Sequence, residues 1–311
     1  MSKMKVLVIG GSGFLGSNLV PNIEANNDVT VMEILPYEQA KHLHGLNIKY
    51  IWKSMLDINP SDLKGYDEIA FLAAVSDVPL SITSPQWTLY QNVEGITRFL
   101  EALKELEDKP RTLFMSTESV YGKSKKFPIT EETPMHPTNP YGVSKAAAEM
   151  LCREYSEAYK LPVVIFRSTS MFGEYSRAKQ VIPIFINQAI HDRDITIEGN
   201  GHQSRDFNYV LNMTGAVNLL FKSDIDTGIY NIGSGEEIDL NTLAKTIIDM
   251  TNSKSKIVYK PWRLGERGTR LQVSIKKAKR ILKYKPVYDF EEGLERTIQY
   301  FKSVSSDYYA L

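Results

Sequence analysis

The sequence predicts an α/β protein with a Rossmann-type, doubly wound parallel sheet and a smaller α/β C-terminal substrate lobe. Two observations lead to this fold class. Continuous apolar runs of strand length alternate with helical patterns through the first half of the chain, which favours parallel strands buried on both faces and joined by right-handed crossovers. The first of these runs leads directly into a glycine-rich turn, which is typical of dinucleotide-binding folds.

Each element of the alternating half follows from its local pattern. Runs rich in Val, Ile and aromatic residues indicate strands, and apolar residues spaced three or four positions apart indicate helices. The predicted strands are 5–10, 28–34, 48–56, 68–74, 111–117 and 162–168. The predicted helices between them include 14–26, 84–106 and 141–160.

The alternation is lost after about residue 170, where helical patterns are separated by short strand-like runs. We therefore expect a dinucleotide-binding Rossmann domain at 1–170 and a smaller substrate lobe at 171–311, with a later strand near 205–212 returning to the first domain. No long flexible linker separates the two parts, so they should pack closely and share a cleft.

Composition excludes several classes of function. The 311 residues contain 37 Lys+Arg and 37 Asp+Glu, and this balance argues against a nucleic-acid or anionic-membrane binder. The single cysteine, Cys152, allows neither an intrachain disulfide nor a cysteine metal cluster, and no metal site is predicted. No signal peptide or membrane-spanning run is recognisable. We expect a cytoplasmic protein.

The glycine-rich turn predicts a pyrophosphate site. Gly10, Gly13 and Gly16 lie between the first strand and the first helix, where they allow a tight turn and a close approach of phosphate to the helix N-terminus. The alternative is a tight strand–helix connection without a ligand. Glu33 ends the second strand about 20 residues further on, where an acid accepts hydrogen bonds from the adenosine ribose. A carboxylate there repels a 2′-phosphate, so the pattern favours NAD over NADP.

Asp57 and Ile58 follow the third strand. Asp57 could accept a hydrogen bond from the adenine amino group while Ile58 packs on the ring. The alternative, a solvated loop aspartate, has equal weight on sequence alone.

Tyr141 and Lys145 lie one turn apart at the start of a predicted helix. A free phenol has a pKa of about 10 and is a poor base at neutral pH. A neighbouring ammonium and the positive nicotinamide ring of bound NAD⁺ both favour the phenolate. Tyr141 could then take a proton from a substrate alcohol while hydride leaves its carbon. Lys145 could also hold the nicotinamide ribose.

Two surface side chains at this spacing are common, so the pair alone is weak evidence. The context strengthens it, because the pair follows a strand that ends in FMSTESVYG (114–122). Ligands collect at this carboxyl edge of a parallel sheet. Thr117 lies at the strand end and could position the substrate oxygen against Tyr141.

The segments GGSGFLG (10–16), STESVYG (116–122) and YGVSK (141–145) together resemble the extended short-chain dehydrogenase/reductases that act on nucleotide sugars, and most closely UDP-galactose 4-epimerase-like proteins. Similar segments at 71–76, 91–96, 199–210, 230–240 and 263–266 extend the resemblance over nearly the whole chain.

The resemblance implies a catalytic trio of Thr117, Tyr141 and Lys145. It implies NAD contacts from Tyr141, Lys145, Gly10, Gly13, Phe14, Leu15, Gly16, Glu33, Asp57, Ile58, Leu72, Ala73 and Ala74. It implies substrate contacts from Ser76, Asn92, Thr117, Tyr141, Ser170, Arg205 and Arg263. A UDP-sugar is the expected substrate, since arginine donates paired hydrogen bonds to phosphate. A homodimer is expected through the helices at 84–106 and 141–160, although their apolar residues could face the sheet instead.

Several positions depart from the family pattern. Dehydratases of the family carry Asp-Glu after the catalytic threonine and decarboxylases carry Ser-Glu, whereas this chain has Glu118-Ser119. Ser170 replaces an asparagine that binds the substrate diphosphate, and Asn212 replaces an aspartate. The segments RSTSMFGEYSRAKQ (167–180) and KPWRLGERGTR (260–270) are expected to shape the pocket.

The leading hypothesis is therefore an NAD-dependent nucleotide-sugar epimerase, acting at C4 of a UDP-hexose through a 4-keto sugar. A net oxidoreductase, either a 4-ketosugar reductase or a 4-dehydrogenase, would use the same residues and is the alternative. A third possibility, a non-catalytic NAD-binding regulator, is less consistent with the retained tyrosine and lysine.

Overall fold

A seven-stranded sheet forms the centre of the fold. The computed structural model describes residues 3–124, 126–262 and 270–304 of the chain. Its strands are β1 (Met4–Ile9), β2 (Asn27–Glu33), β3 (Ile48–Trp52), β4 (Glu68–Phe71), β5 (Arg111–Thr117), β6 (Val163–Ser168), β7 (Ser170–Phe172), β8 (Ile195–Glu198), β9 (Ser204–Arg205), β10 (Phe207–Tyr209), β11 (Gly228–Ile232), β12 (Ile238–Asp239), β13 (Ile257–Lys260) and β14 (Arg270–Leu271).

Helices cover both faces of this sheet and build most of the second lobe. They are α1 (Phe14–Glu24), α2 (Pro60–Leu63), α3 (Val78–Thr83), α4 (Pro85–Leu89), α5 (Gly95–Lys104), α6 (Pro140–Tyr159), α7 (Val181–Ile190), α8 (Val210–Phe221), α9 (Leu240–Thr251), α10 (Lys276–Ile281) and α11 (Phe290–Ser303). None of the described helices is both long and apolar enough to cross a membrane.

The strand order of the central sheet is β11-β6-β5-β4-β1-β2-β3, and every pairing is parallel. The chain winds outward from β1 to β3, then crosses back to β4 and winds the other way. The connections that follow β1 and β4 therefore diverge at the carboxyl edge of the sheet and leave a crevice between them. The predicted α/β class and the doubly wound parallel sheet are confirmed.

The continuous apolar runs of the sequence are strands buried on both faces. Val6 and Val8 of β1 belong to one hydrophobic core, while Leu7 and Ile9 belong to the core on the opposite face. All four side chains are at most 1% exposed. Alternate residues of a strand point to opposite faces, and each fully buried side chain of this kind contributes about 1.5–3 kcal/mol.

The predicted helix at 84–106 is three consecutive segments. Helix α4 passes into a π-helical segment, Tyr90–Glu94, which passes into α5. A π-helical segment widens the turn and rotates the side chains that follow relative to a regular α-helix. Gln91 and Asn92 lie in this segment, so the directions of their side chains depend on the change of phase.

The strand predicted to return to the first domain near 205–212 is misplaced. Residues 204–209 form β9 and β10, which pair in small separate sheets, and α8 begins at Val210. The strand that returns is β11, which adds beside β6. Both strands are short, with three residues in β10 and five in β11, and the long-range pairing shows which of them joins the central sheet.

Asn212, one of the departures from the family pattern, holds α8 to the segment before α11. Its Oδ1 accepts hydrogen bonds from the backbone N–H groups of Val287 (2.8 Å) and Tyr288 (3.0 Å). Its Nδ2 donates to the carbonyl oxygen of Tyr288 at 2.8 Å.

Asn212→Ala leaves these backbone groups without their partner, so we expect a loss of about 1–3 kcal/mol in the free energy of unfolding. Urea denaturation followed by circular dichroism measures the change. Asn22→Ala, which removes an exposed asparagine of α1, is the matched control and should be near neutral. Equal losses in the two variants would contradict the assigned role.

Candidate active site

A cleft of about 300 Å³ opens at the carboxyl edge of the sheet, between the connections that follow β1 and β4. Most of the residues predicted for the cofactor line it, together with two of the three predicted for catalysis and Ser76, which was predicted for the substrate. These are Gly10, Gly13, Phe14, Leu15, Gly16, Glu33, Leu72, Ala73, Ala74, Ser76, Tyr141 and Lys145. The structure thus brings together, in one cleft, residues from both halves of the doubly wound sheet.

The glycine-rich turn is shaped by close backbone contacts. Gly10 has φ +89°, and a Cβ on it would lie 2.6 Å from the backbone nitrogen of Ala73. A Cβ on Gly16 would lie 2.5 Å from the carbonyl oxygen of Gly11. Only glycine fits at these two positions, which keep α1 close to β1 and open the first turn of α1 to the cleft.

Glu33 is held against this turn at the end of β2. Its carboxylate accepts hydrogen bonds from the backbone N–H groups of Ser12 (3.2 Å) and Ile34 (2.8 Å). The carboxylate therefore has a fixed position at the cleft wall, where its remaining lone pairs can accept hydrogen bonds from ribose hydroxyls.

Two further features fit a bound dinucleotide. Helix α1 begins after Gly13 without a side-chain cap, so its first N–H groups are open to an anion such as pyrophosphate. At the other end of the cleft, Lys145 Nζ has no hydrogen-bond partner among the residues that the structure describes, although the side chain is only 3% exposed. A buried ammonium with unused donors suits the hydroxyls of the nicotinamide ribose.

The two residues expected to contact the adenine ring do not line the cleft. Met55 lines the cleft, whereas Asp57 and Ile58 do not. Asp57 is exposed, and Ile58 is 7% exposed and belongs to the core beneath the sheet. The adenine contact of Asp57 and Ile58 stays a prediction.

Tyr141 and Thr117 meet where α6 begins beside the end of β5. Asn139 caps α6 by accepting a hydrogen bond from the Gly142 N–H at 2.8 Å, which places Tyr141 in the first turn. Burial raises the pKa of Tyr141 to about 12, while the nearby Thr117 hydroxyl and the charge of Arg177 act in the opposite direction. The Thr117 hydroxyl itself donates a hydrogen bond to Ser119 Oγ at 3.3 Å.

Lys145 lies one turn further along α6, with Nζ 4.1 Å from the centre of the Phe114 ring. Burial lowers the pKa of Lys145 to about 8, and the nearby Glu149 and Cys152 side chains raise it. Tyr141 and Lys145 of the predicted trio therefore line the cleft, and their pKa values are shifted in opposite directions. Thr117 does not line the cleft, and the catalytic roles of the three residues stay predictions.

Sequence reasoning did not single out Arg177 individually, although it lies in the segment 167–180 that was expected to shape the pocket. Arg177 lines the cleft, donates from Nη2 to Ser76 Oγ at 2.8 Å, and lies near Asp77, with Nη1 and Oδ2 4.0 Å apart. It is the cation that lowers the pKa of Tyr141. No local motif marks it, because it reaches the cleft from a loop of the second lobe.

Ser168, Met171 and Gln180 also line the cleft and lie in the same segment, 167–180. Other lining residues were not singled out by the sequence reasoning, and these are Ile9, Met32, Ile34, Lys53, Ser54, Val75, Gln91, Met115 and Ser116. Ser116 is the last but one residue of β5, and a hydroxyl residue at a strand end is a signal that the sequence did contain.

Asn92 was predicted on the substrate side, but its side chain does not line the cleft, and its substrate role stays a prediction. Its Oδ1 accepts from the Val75 N–H at 2.7 Å, and its Nδ2 donates to the Val75 carbonyl oxygen and to Ser144 Oγ. The amide is used entirely inside the protein. Because the π-helical segment rotates the side chains, Gln91 lines the cleft instead.

Ser170 and Arg205 lie beside a buried carboxyl group, outside the residues that line the cleft. Ser170 Oγ donates to Glu118 Oε1 at 2.8 Å. Burial raises the pKa of Glu118 to about 8, and the positive charge of Arg205 lowers it. Arg205 also donates to the Ser204 carbonyl oxygen. The substrate roles of Ser170 and Arg205 stay predictions, and Arg263 lies outside the described residues.

Within the described residues, no group of three or more His, Cys, Asp or Glu side chains could hold a metal ion.

A glycine-rich turn with an acid at the end of the next strand, together with a tyrosine–lysine pair in the same cleft, defines a class of hydride-transferring Rossmann proteins. Residues 6–233 match the model of the NAD dependent epimerase/dehydratase family. The chain belongs to this family, its cofactor is NAD, and the resemblance inferred from sequence motifs is confirmed.

The relatives include both epimerases and dehydratases. The human dTDP-D-glucose 4,6-dehydratase is 32% identical over 96% of this chain and 90% of its own length. A putative UDP-glucose 4-epimerase of Methanocaldococcus jannaschii is 31% identical over 96% of this chain and 98% of its own.

Among solved structures, the UDP-N-acetylglucosamine 4-epimerase from Methanobrevibacter ruminantium, in complex with UDP-N-acetylmuramic acid, superimposes with a TM-score of 0.91. It is 29% identical and the match covers 97% of this chain and 99% of that one. The similarity therefore includes both lobes.

Gly16→Ala places a methyl group against the Gly10 and Gly11 carbonyl oxygens, so we expect NAD affinity to fall by about tenfold or more, or ~1.4 kcal/mol. Isothermal titration calorimetry measures the affinity. The matched control is Gly215→Ala in α8, where a Cβ meets nothing within 4 Å. The control should bind NAD normally; unchanged affinity in Gly16→Ala would show that the turn does not shape the site.

Proposed function

We propose that this protein is an NAD-dependent nucleotide-sugar epimerase that inverts C4 of a UDP-hexose. The observation that carries the proposal is the position of Tyr141 and Lys145, one turn apart on α6, in the lining of a cleft that fits NAD. In this proposal, residues 1–170 together with β11 hold the dinucleotide, and the lobe formed mainly by 171–311 holds the nucleotide sugar. Relatives named as UDP-sugar 4-epimerases support it.

The protein's own groups handle the proton and the orientation of the sugar. Thr117 and Tyr141 hold the C4 hydroxyl between them, and the Tyr141 oxygen receives its proton. When bound, NAD supplies the hydride acceptor and donor for C4 and a positive charge beside Tyr141. Tyr141 then returns the proton after the 4-keto sugar has turned over in the pocket.

Burial sets the resting state of this acid–base group. With its pKa raised to about 12 by burial, Tyr141 is protonated at neutral pH and ready to donate to the keto oxygen. Removal of a proton from the alcohol requires positive charge near the ring, and Arg177 supplies such a charge from the protein.

The residues after Thr117 favour epimerisation over water loss. Ser119 occupies the position where dehydratases of the family carry a second acid, and its N–H donates to Thr117 Oγ1 at 3.2 Å. Glu118 Oε1 accepts a hydrogen bond from Ser170 Oγ at 2.8 Å. The pair of acids that dehydratases of the family carry after the threonine is therefore incomplete in this chain, which favours epimerisation.

We further propose a homodimer formed through α4 and α6. Helix α6 buries Ala148 and Cys152 toward the sheet, yet it exposes Val143 (43%) and Met150 (57%) on its outer side. Trp87 of α4 is 52% exposed on the neighbouring helix. Exposed apolar side chains grouped on adjacent helices are typical of a protein interface.

Tyr141→Phe removes the acid–base hydroxyl and should lower the epimerisation rate by about 10²–10⁴-fold. Proton NMR of C4 inversion in UDP-glucose, UDP-galactose and their N-acetyl and uronic forms measures the rate. Tyr155→Phe is the matched control. Tyr155 lies on the same helix as Tyr141, and its hydroxyl is hydrogen-bonded to Glu101 of α5. If the wild-type protein inverts none of these sugars, the proposed reaction is wrong.

Met150→Glu places a charge on the exposed face of α6 and should convert the dimer to a monomer, because a charge buried at an interface is costly. Sedimentation velocity at micromolar concentration measures the mass. Val287→Glu, at a residue 79% exposed and outside these helices, is the control and should remain dimeric. A monomeric wild-type protein would contradict the interface.

A further inference from the structure

A short segment of the second lobe crosses from one wall of the cleft to the other. Residues 173–177 follow β7 and contact both α1, which begins at the glycine-rich turn, and the loop between β4 and α3. The glycine-rich turn and residues 72–76 are the two walls, and both line the cleft. We call residues 173–177 the strap, since they join these walls.

One end of the strap is buried and held by several hydrogen bonds. Asn18 of α1, which is 7% exposed, donates from Nδ2 to the Glu174 carbonyl oxygen at 2.9 Å. The Glu174 carboxylate accepts a hydrogen bond from the Tyr209 hydroxyl of β10 at 2.8 Å. Ser176 is 0% exposed and donates from Oγ to the Gly173 carbonyl oxygen at 2.7 Å. This end is therefore fixed to both lobes.

The middle of the strap has an unusual backbone conformation. Tyr175 has φ +63°, a left-handed conformation that is rare for a bulky residue. Its ring centre lies 5.3 Å from that of His42 and 5.1 Å from that of Tyr300, and His42 Nε2 is 2.9 Å from Ser17 Oγ of α1. Such strain persists only where surrounding contacts hold it, and it is common at sites that clamp a ligand. The conformation of the strap is therefore set by its contacts with α1 and its neighbours, and not by local preference.

The other end of the strap is held by exposed groups. Arg177 Nη2 donates to Ser76 Oγ at 2.8 Å, and Nη1 lies 4.0 Å from Asp77 Oδ2. The Arg177 and Asp77 side chains are 45% and 30% exposed, and solvated ion pairs of this kind are weak. The contact between Arg177 and Ser76, which we call the latch, can therefore break while the buried end stays in place.

We propose that the strap retains NAD in the cleft and that opening of the latch controls its release. The residues that fit the dinucleotide lie on both walls that the strap joins, with Gly13 on one and Ala74 on the other, and Arg177 itself lines the cleft. The alternative is that the strap only links the two lobes, in which case the latch would affect stability but not NAD release. The inference goes beyond the reaction proposed above and rests only on NAD as the cofactor.

The test is Arg177→Met, which removes the latch but keeps an unbranched side chain at a half-exposed position. Protein loaded with NADH is mixed with excess NAD⁺ in a stopped-flow fluorimeter, and the loss of bound-NADH fluorescence gives the release rate. We expect release to become about three- to tenfold faster, because one hydrogen bond from a charged group is lost. An unchanged release rate would overturn the inference.

Arg98→Met is the matched control. Arg98 of α5 is 51% exposed and forms an ion pair with Glu94 at 2.8 Å, outside the residues that line the cleft. Both variants remove a half-exposed arginine with an acidic neighbour, so their melting temperatures should change by similar amounts. Only Arg177→Met should speed NADH release, and an equal change in Arg98→Met would count against the latch.

Two further variants separate the latch from a direct contact of Arg177 with NAD. Ser76→Ala keeps the arginine and breaks the latch, so it should also speed release, and adding it to Arg177→Met should have no further effect. Additive effects would overturn the latch. Tyr209→Phe loosens the buried end from outside the cleft lining and should speed release as well; an unchanged rate would show that the strap does not retain NAD. No sugar substrate is needed, so absent epimerase activity would overturn only the proposed function.

Discussion

The packing of α6 against β5 and β6 is the constraint on which the whole site depends. Successive residues of a helix are about 100° apart around its axis, so a one-residue change of register would turn Tyr141 away from Thr117. The Asn139 cap sets where the helix begins. A Cβ on Gly142 would lie 2.7 Å from the Ser119 carbonyl oxygen, so the glycine allows the first turn to approach the loop after β5. The Glu149–Arg167 pair fixes the helix two turns further along.

The sheet order places the two halves of the cleft around this helix. Because the connections after β1 and β4 diverge, the glycine-rich turn and the segment 72–76 face each other across a crevice. The close approach of Gly10 to Ala73 links these two walls directly. The second lobe closes the third side, since Arg177 reaches back to Ser76. Three separate connections thus form the walls of the cleft.

Burial is the common physical cause of the chemistry in this cleft. It raises the pKa of Tyr141 and Glu118 and lowers that of Lys145, because in each case the charged form is the one that loses solvation. Charges in such surroundings act strongly on one another, so a single carboxylate or guanidinium influences the reactive groups. The pKa values of Lys145 and Tyr141 therefore depend on burial and on neighbouring charges, and not only on where the two side chains lie.

The sequence by itself determined the features that local patterns encode: the parallel strands of the first half, the glycine-rich turn with Glu33 at the end of the next strand, and the spacing of Tyr141 and Lys145. These depend on residues close together in the chain, so a motif can report them. Tertiary structure alone decided which late strand joins the sheet, that Asn92 turns inward while Gln91 faces the cleft, and that Arg177 approaches Tyr141. Strand pairing, a π-helical change of phase and the return of a distant loop all depend on contacts between residues far apart in the chain, which no local pattern records.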